Sequence, residues 1–257
     1  MRYFIRLAYN GAPFHGWQRQ PDAPSVQQKI EEVFSLILRR EISITGAGRT
    51  DTSVNASEMY AHFDLDAPIA DMYRFMHSVN HLLAPYIVVF ELLPVLDNAH
   101  ARFDALSRTY HYYVCHRRSP FSRDFEWFCP SPLDYGAMNE AASLLVGTHD
   151  FTSFSKLHTD AKTNICTVTK AEWTECVHPL AVQDGTPRYC FEITANRFLR
   201  NMVRAVVGTL VDVGRGKLTL AGFRDVIAAK DRCEAGESMP GNALFLHRID
   251  YPAAIFP

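Results

Sequence analysis

One succession of periodicities occurs twice along the chain, and that duplication limits the architectures open to it. Residues 3–9 alternate as a strand. A polar turn, NGAPFHGWQRQPDAP, then delivers Ser25 with Gln28 three residues later, the spacing of a capping box. Val26, Ile30, Val33, Phe34, Ile37 and Leu38 follow at one-face helical spacing, which predicts a helix ending near Arg39 and Arg40. Ile42 and Ile44 open a second strand. Met59, Ala61, Phe63 and Leu65 alternate with Tyr60, His62, Asp64 and Asp66, which predicts a half-buried strand with a polar outer face. A helix over 70–83 and an apolar strand over 87–93 complete a β-α-β-β-α-β order.

The second half repeats it: strand 108–115, helix 134–146, strands 165–177 and 189–194, helix 197–213, strand 243–251. The expected fold class is therefore α+β, built from two similar βαββαβ (ferredoxin-like) halves. Such units carry their helices on one face of an antiparallel sheet, so two side by side leave open sheet as a central floor and cleft. The expected division is 1–100, an N-terminal α/β subdomain, and 101–257, a C-terminal one, with the boundary in residues 98–104.

Composition narrows the function classes. At 257 residues and 47% hydrophobic the chain can bury a continuous core. No apolar run is long enough to span a bilayer and the first residues lack a leader pattern, so a cytoplasmic protein with no membrane association is expected. Six cysteines at irregular spacings, without a CxxC pair, read as free and mostly buried thiols rather than a metal site or disulfides. The net charge of −2 argues against a surface basic all over, but basic stretches remain. Residues 195–211 hold three arginines and no acid, and residues 102–123 hold five arginines against one aspartate. Each reads equally as a solvated face or as RNA contact.

One acid stands out. The segment ITGAGRTDTSVNAS, residues 44–57, sets Asp51 in a glycine- and hydroxyl-rich loop between two expected strands. A surface turn explains the glycines and the aspartate by itself. A phosphoryl-accepting aspartate would want further acids to hold magnesium, and the loop has none before Glu58.

Three separated stretches, GRTDTSVNA (48–56), ARFDALSRTYHYYV (101–114) and ANRFLRNMVRAVVGTLVDVG (195–214), resemble signature segments of the tRNA pseudouridine synthase A family, in order. YNGAPFHGWQRQP (9–21), HDFTSFS (149–155) and ALFLHRIDYP (243–252) are similar to it as well, so the resemblance covers essentially the whole chain. It implies the pseudouridine synthase fold and an isomerase, an intramolecular transferase that converts uridine to pseudouridine at positions 38–40 of the tRNA anticodon stem-loop. It also implies no cofactor, no metal and a homodimer.

The chemistry breaks the N-glycosidic bond, turns the freed uracil and rejoins it through carbon 5, with no net oxidation or hydrolysis. One carboxylate can serve, by adding to the uracil ring or by engaging the anomeric carbon, and the resemblance assigns that nucleophilic role to Asp51. It assigns the site's basic residue to Arg204, whose apolar setting in NMVRAVV would make an unpaired charge costly. Arg200, one helical turn earlier, is the lesser candidate or a phosphate contact. Tyr110 matches the family tyrosine that stacks on the target base; a tyrosine on a strand is otherwise core, and nothing local separates it from Tyr112. Arg49 is expected to contact RNA or order its loop. A base in a stem-loop must leave its stack to be reached, at a cost of a few kcal/mol. Arg102, Arg108, Arg197 and Arg200 are candidate phosphate contacts that offset it. Phe14, His15, Trp17 and Gln18 either insert beside the displaced base or, for the two aromatics, anchor their loop to the core.

The family pattern reads GRTDAGVHA, whereas this chain has Thr52, Ser53 and Asn55, and Glu58 where a small residue is frequent. Ser53 replaces a glycine beside Asp51, where a positive φ would strain any residue with a Cβ. These departures give weight to an alternative: a catalytically impaired tRNA-binding protein on the same scaffold.

Overall fold

The computed structural model describes residues 1–156, 162–177 and 186–256. It is an α+β structure, and its contacts divide it into two units, Met1–Ser107 with Leu246–Pro257, and Arg108–Phe245.

In the first unit β1 (Arg2–Tyr9) lies between β3 (Asn55–Asp64) and β4 (Ile87–Val95), antiparallel to both, with Ile5 opposite Ala61 and Leu92. The strand β10 (Leu244–Asp250) takes the other side of β3. Helix α1 (Val26–Leu38) starts where the capping spacing predicts: Ser25 Oγ accepts the Gln28 amide, and Arg39 ends the helix at φ 54°. Helix α2 (Met72–Leu83) is capped in the same way by Asp71. The face that α1 and α2 cover is apolar. Phe34 of α1 meets Phe63 of β3 and Phe75 of α2 edge-on, each at 5.3 Å, and Ile5, Leu7, Met59 and Ala61 are fully buried.

Two expectations for this unit are corrected. The strand opened by Ile42 and Ile44 shrinks to β2 (Thr45–Gly46), paired with Ala61 and His62. The reason is competition for the amides: Ile42 N donates to Ser35 Oγ (2.9 Å) and Ile44 N to Glu31 Oε1 (3.1 Å), so α1 side chains take the donors a ladder needs. The outer face of β3 is also covered rather than open. The tail after β10 lies over it, with Tyr251 5.3 Å from Phe4 and 5.1 Å from Tyr60, and His62 is only 6% exposed.

His62 Nδ1 accepts the Ala101 amide at 3.1 Å, and burial, then the nearby Arg2 charge, push the imidazole down to about 4. In the unfolded chain it titrates near 6.5, so between these values the unfolded state binds the extra proton. The stabilisation is therefore present above the unfolded value and is lost as pH falls toward 4, by about 2–3 kcal/mol. Urea unfolding at neutral pH and near pH 4.5 should show a smaller loss for His62→Gln than for the wild type; parallel losses would exclude His62 as the cause.

The second unit carries the sheet order β5 (Ser107–Cys115), β9 (Arg188–Ala195), β8 (Ile165–Cys176), β7 (Gly147–Asp150), with successive neighbours antiparallel. A short β6 (Trp127–Phe128) runs parallel to β5. Helix α3 (Tyr135–Ser143) packs on β8 and on α4 (Met202–Gly214), and α5 (Leu220–Ala229) follows α4. The start of α4 is a correction: residues 197–201 do not join it. Asn201 stands at φ 68°, outside helical space, and Met202 N turns back to Leu199 O. Arg200 thus occupies an exposed turn before the helix. All six cysteines are free, and only Cys233 is exposed. Burial pushes Cys115 up to about 12 and Cys166 and Cys176 up to about 11, so these thiols stay protonated and inert at neutral pH. Among the described residues no helix is long and apolar enough to cross a membrane.

Candidate active site

Asp51 sits at the first position of a tight turn closed by Val54 N to Asp51 O at 3.2 Å. The third residue of that turn, Ser53, has φ 62°, the conformation a type II turn demands at this place and glycine adopts without cost. The departure from the family glycine therefore falls on a strained position, at roughly 1 kcal/mol.

The turn is held against the loop that follows β1. Trp17 N donates to Thr50 O (3.2 Å) and Ser53 N to Phe14 O (3.3 Å), so backbone bonds flank Asp51 on both sides. Two glycines permit the approach: a Cβ on Gly16 would lie 2.4 Å from Thr50 O, and one on Gly11 2.2 Å from Val54 O. The buried Tyr9 and Thr50 hydroxyls bond at 2.9 Å. Asn55, buried, accepts the Gly11 amide at 2.8 Å, which gives this departure a structural task. The result is a braced backbone with the Asp51 side chain half-buried and Arg49 exposed beside it.

Phe14 and Trp17 are both buried, at 8% and 2% exposure, and Trp17 fills the space that a Cβ on Gly46 would need. His15 and Gln18, the other two candidates of that loop, are exposed. Sequence reasoning does not single out Tyr9, Thr50, Gly11 and Gly16. Only the glycines carry a signal there, since close backbone approach is one of the few uses that exclude a side chain.

Tyr110 and Arg204 belong to the second unit, as do Arg108, Arg197 and Arg200, whereas Asp51, Arg49, Phe14, Gln18 and Arg102 belong to the first. The β5 tyrosines, indistinguishable by pattern, separate by burial. Tyr112 is fully buried on the helix-covered face, and burial holds its phenol well above the ordinary range against the opposing pull of the Arg204 charge. Tyr110 is half-exposed, its ring edge-on to Phe198 at 5.0 Å. Arg108 Nη1 donates to Asn196 O at 2.9 Å; Arg102 is exposed with its guanidinium 5.8 Å from the Phe103 ring.

Arg204 is tied to residues 231–240. Its Nε donates to Met239 O at 2.5 Å and its carbonyl accepts the Met239 amide at 3.1 Å. The same segment is fastened along α4 by Asn201 Nδ2 to Ser238 Oγ (2.6 Å) and Gly236 N to Thr209 Oγ1 (2.9 Å). Gly208 permits this close approach, because a Cβ there would lie 1.8 Å from Glu237 O. Gly208→Ala should cost about 3 kcal/mol of stability through overpacking. It should also lower turnover by displacing Met239 from Arg204. A variant that melts and turns over like the wild type would show that the segment yields freely.

A family model described as tRNA pseudouridine synthase matches residues 141–252. A tRNA pseudouridine synthase A from Parabacteroides distasonis is 53% identical over 256 residues, covering 100% of this chain and 98% of that protein. One from Bacteroides thetaiotaomicron is 53% identical, covering 99% and 92%. One from Hyphomonas neptunium is 38% identical, covering 98% and 99%. With the whole chain aligned at such identities, the chain is an isomerase that belongs to the tRNA pseudouridine synthase A family.

Proposed function

We propose that this enzyme isomerises uridine to pseudouridine in the anticodon stem-loop of tRNA, at positions 38–40, with Asp51 as nucleophile. The observation that carries the reading is the Asp51 turn, a half-buried carboxylate on a backbone bonded on both sides, in the segment that resembles the family signature. The C1′–N1 bond breaks and a C1′–C5 bond forms; the proton leaves carbon 5 and N1 gains one. Tyr110 stacks on the target base and Arg204 is the basic residue of the reaction. Arg49, Arg102, Arg108, Arg200 and Gln18 contact RNA, with Phe14 seating the loop that presents Gln18. The reading extends to a cytoplasmic homodimer with two ferredoxin-like halves, residues 1–100 carrying the aspartate loop and 101–257 the tyrosine strand and arginine helix.

The strained Ser53 favours one second reading, a scaffold that binds tRNA without turnover. Tritium release from tRNA labelled at carbon 5 of uracil, with the new pseudouridines mapped, separates the two. Release with pseudouridine at 38–40 is expected; tight binding without release would establish the second reading.

A further inference from the structure

Arg204 lies in the first turn of α4, where backbone amides find no partner within the helix. Asparagine is among the best residues for the position before such a turn, because its side-chain oxygen can accept one of those amides. Asn201 does not do so. It stands at φ 68°, and its amide nitrogen turns away from the helix to donate to Ser238 Oγ at 2.6 Å. A side-chain cap is given up, and a left-handed residue accepted, at the start of the helix that carries Arg204. Local departures of this kind persist where the surrounding structure over-determines them, and here that structure is the segment 231–240.

Ser238 is the junction of that segment. Its Oγ also accepts Arg232 Nη2 at 2.9 Å, while Arg232 Nη1 donates to Ala235 O at 3.2 Å. A guanidinium presents its donors in a rigid planar fork, so Arg232 brackets Ala235 and Ser238 at a set separation. Upstream, Asp231 N is held by Ser153 Oγ (3.1 Å), a fully buried hydroxyl that itself donates to Val226 O (2.6 Å). Downstream, the next residue after Ser238 is Met239, whose carbonyl accepts Arg204 Nε. That nitrogen sits at the root of the guanidinium plane, so an acceptor fixed there sets where the two terminal nitrogens point. The direction of Arg204 is thus governed by a short path of bonds through Asn201, Ser238 and Arg232 that ends on one backbone carbonyl.

We propose that Asn201, Ser238 and Arg232 are positioning residues for the isomerisation, holding the Met239 carbonyl so that it aims the Arg204 guanidinium at the reacting nucleotide. The proposal rests on the reading of Arg204 as the basic residue of the reaction. Tritium release from unmodified tRNA should be measured for Ser238→Ala, Ser238→Thr and Arg204→Lys, with urea unfolding of each. Ser238→Ala should lower kcat about tenfold at a KM within about twofold of wild type, and Ser238→Thr, which keeps the hydroxyl, should bring kcat back to within about twofold. In the Arg204→Lys background, which lacks the guanidinium, adding Ser238→Ala should change the remaining rate by less than about twofold, because its effect runs through Arg204. A fastening with no part in positioning would lower the urea midpoint of Ser238→Ala and leave the kcat of folded enzyme at the wild-type value, which would overturn the proposal. A raised KM with kcat kept, the mark of a lost RNA contact, would overturn it too, as would equal losses in both backgrounds. If Ser238→Ala does not fold, Asn201→Gly carries the same test. Glycine keeps the positive φ without strain and removes the bond to Ser238, so the same kcat loss is expected and wild-type kcat would overturn the proposal. Wild-type kcat in Arg204→Lys and Arg204→Ala alike would instead sink the role of Arg204 itself, a result distinct from Ser238→Ala alone turning over like wild type.

Discussion

Asp51→Asn is expected to abolish tritium release, lowering the rate by about 10³-fold or more, while tRNA affinity stays within about threefold of wild type. The substitution keeps the size and hydrogen-bonding shape of the side chain. The turn around it relies on backbone atoms, Thr50 O, Ser53 N and Val54 N, so its geometry should survive. What is removed is the anionic carboxylate proposed as the nucleophile. A neutral amide can neither add to the uracil ring nor engage the anomeric carbon, so the expectation holds for both routes. Residual turnover above about one per cent of wild type would show that the carboxylate is not the nucleophile.

Ser53→Gly works in the opposite direction at the same turn. It relieves the Cβ strain at φ 62° but gains backbone freedom in the unfolded chain, so the two effects on stability partly cancel. The nearby Asn55 shows why departures from a family pattern need a structure to be read. Its side chain accepts the Gly11 amide, which makes it part of the loop's bracing rather than a missing titratable group.

Local chemistry is legible in the sequence wherever the determining interactions are close along the chain. Ser25 and the apolar spacing after it place α1, and alternation places β1, β3 and β5. Three failures share a cause. The periodicity that fixes α4 continues through Phe198 and Leu199, but apolar spacing does not report the φ of Asn201, which ends the helix on its N-terminal side. His62 alternates outward, yet the His100 ring lies 4.7 Å from it and the Ala101 amide donates to it from 39 positions away in the chain, beyond any pattern within β3. Tyr110 and Tyr112 are equivalent by alternation, and only the packing of the helix-covered face buries one and leaves the other half-exposed. The helix over 220–229 escapes the periodicity for a different reason: it is short and buries few side chains, Phe223 and Val226, so its stripe is weak.

The largest stability effect is expected at Glu126, a residue with no part in the chemistry. Its carboxylate is 1% exposed and lies 3.4 Å from Arg188 Nε, itself on a side chain 6% exposed. Ser122 donates to the other carboxylate oxygen at 2.5 Å. Taking two charges out of water is compensated only while both are present, so Glu126→Ala withdraws the carboxylate beside a buried guanidinium and should cost about 3–5 kcal/mol. Replacing both groups by apolar ones of similar volume, Glu126→Leu with Arg188→Met, removes the buried charge altogether. The double variant should recover most of that loss, because the desolvation cost vanishes with the attraction. Urea unfolding of the wild type and these two variants at neutral pH measures the loss and its recovery directly. If the single variant fell by under about 1 kcal/mol, water or a neighbouring group would be solvating Arg188, and the pair would count as a surface ion pair despite its burial.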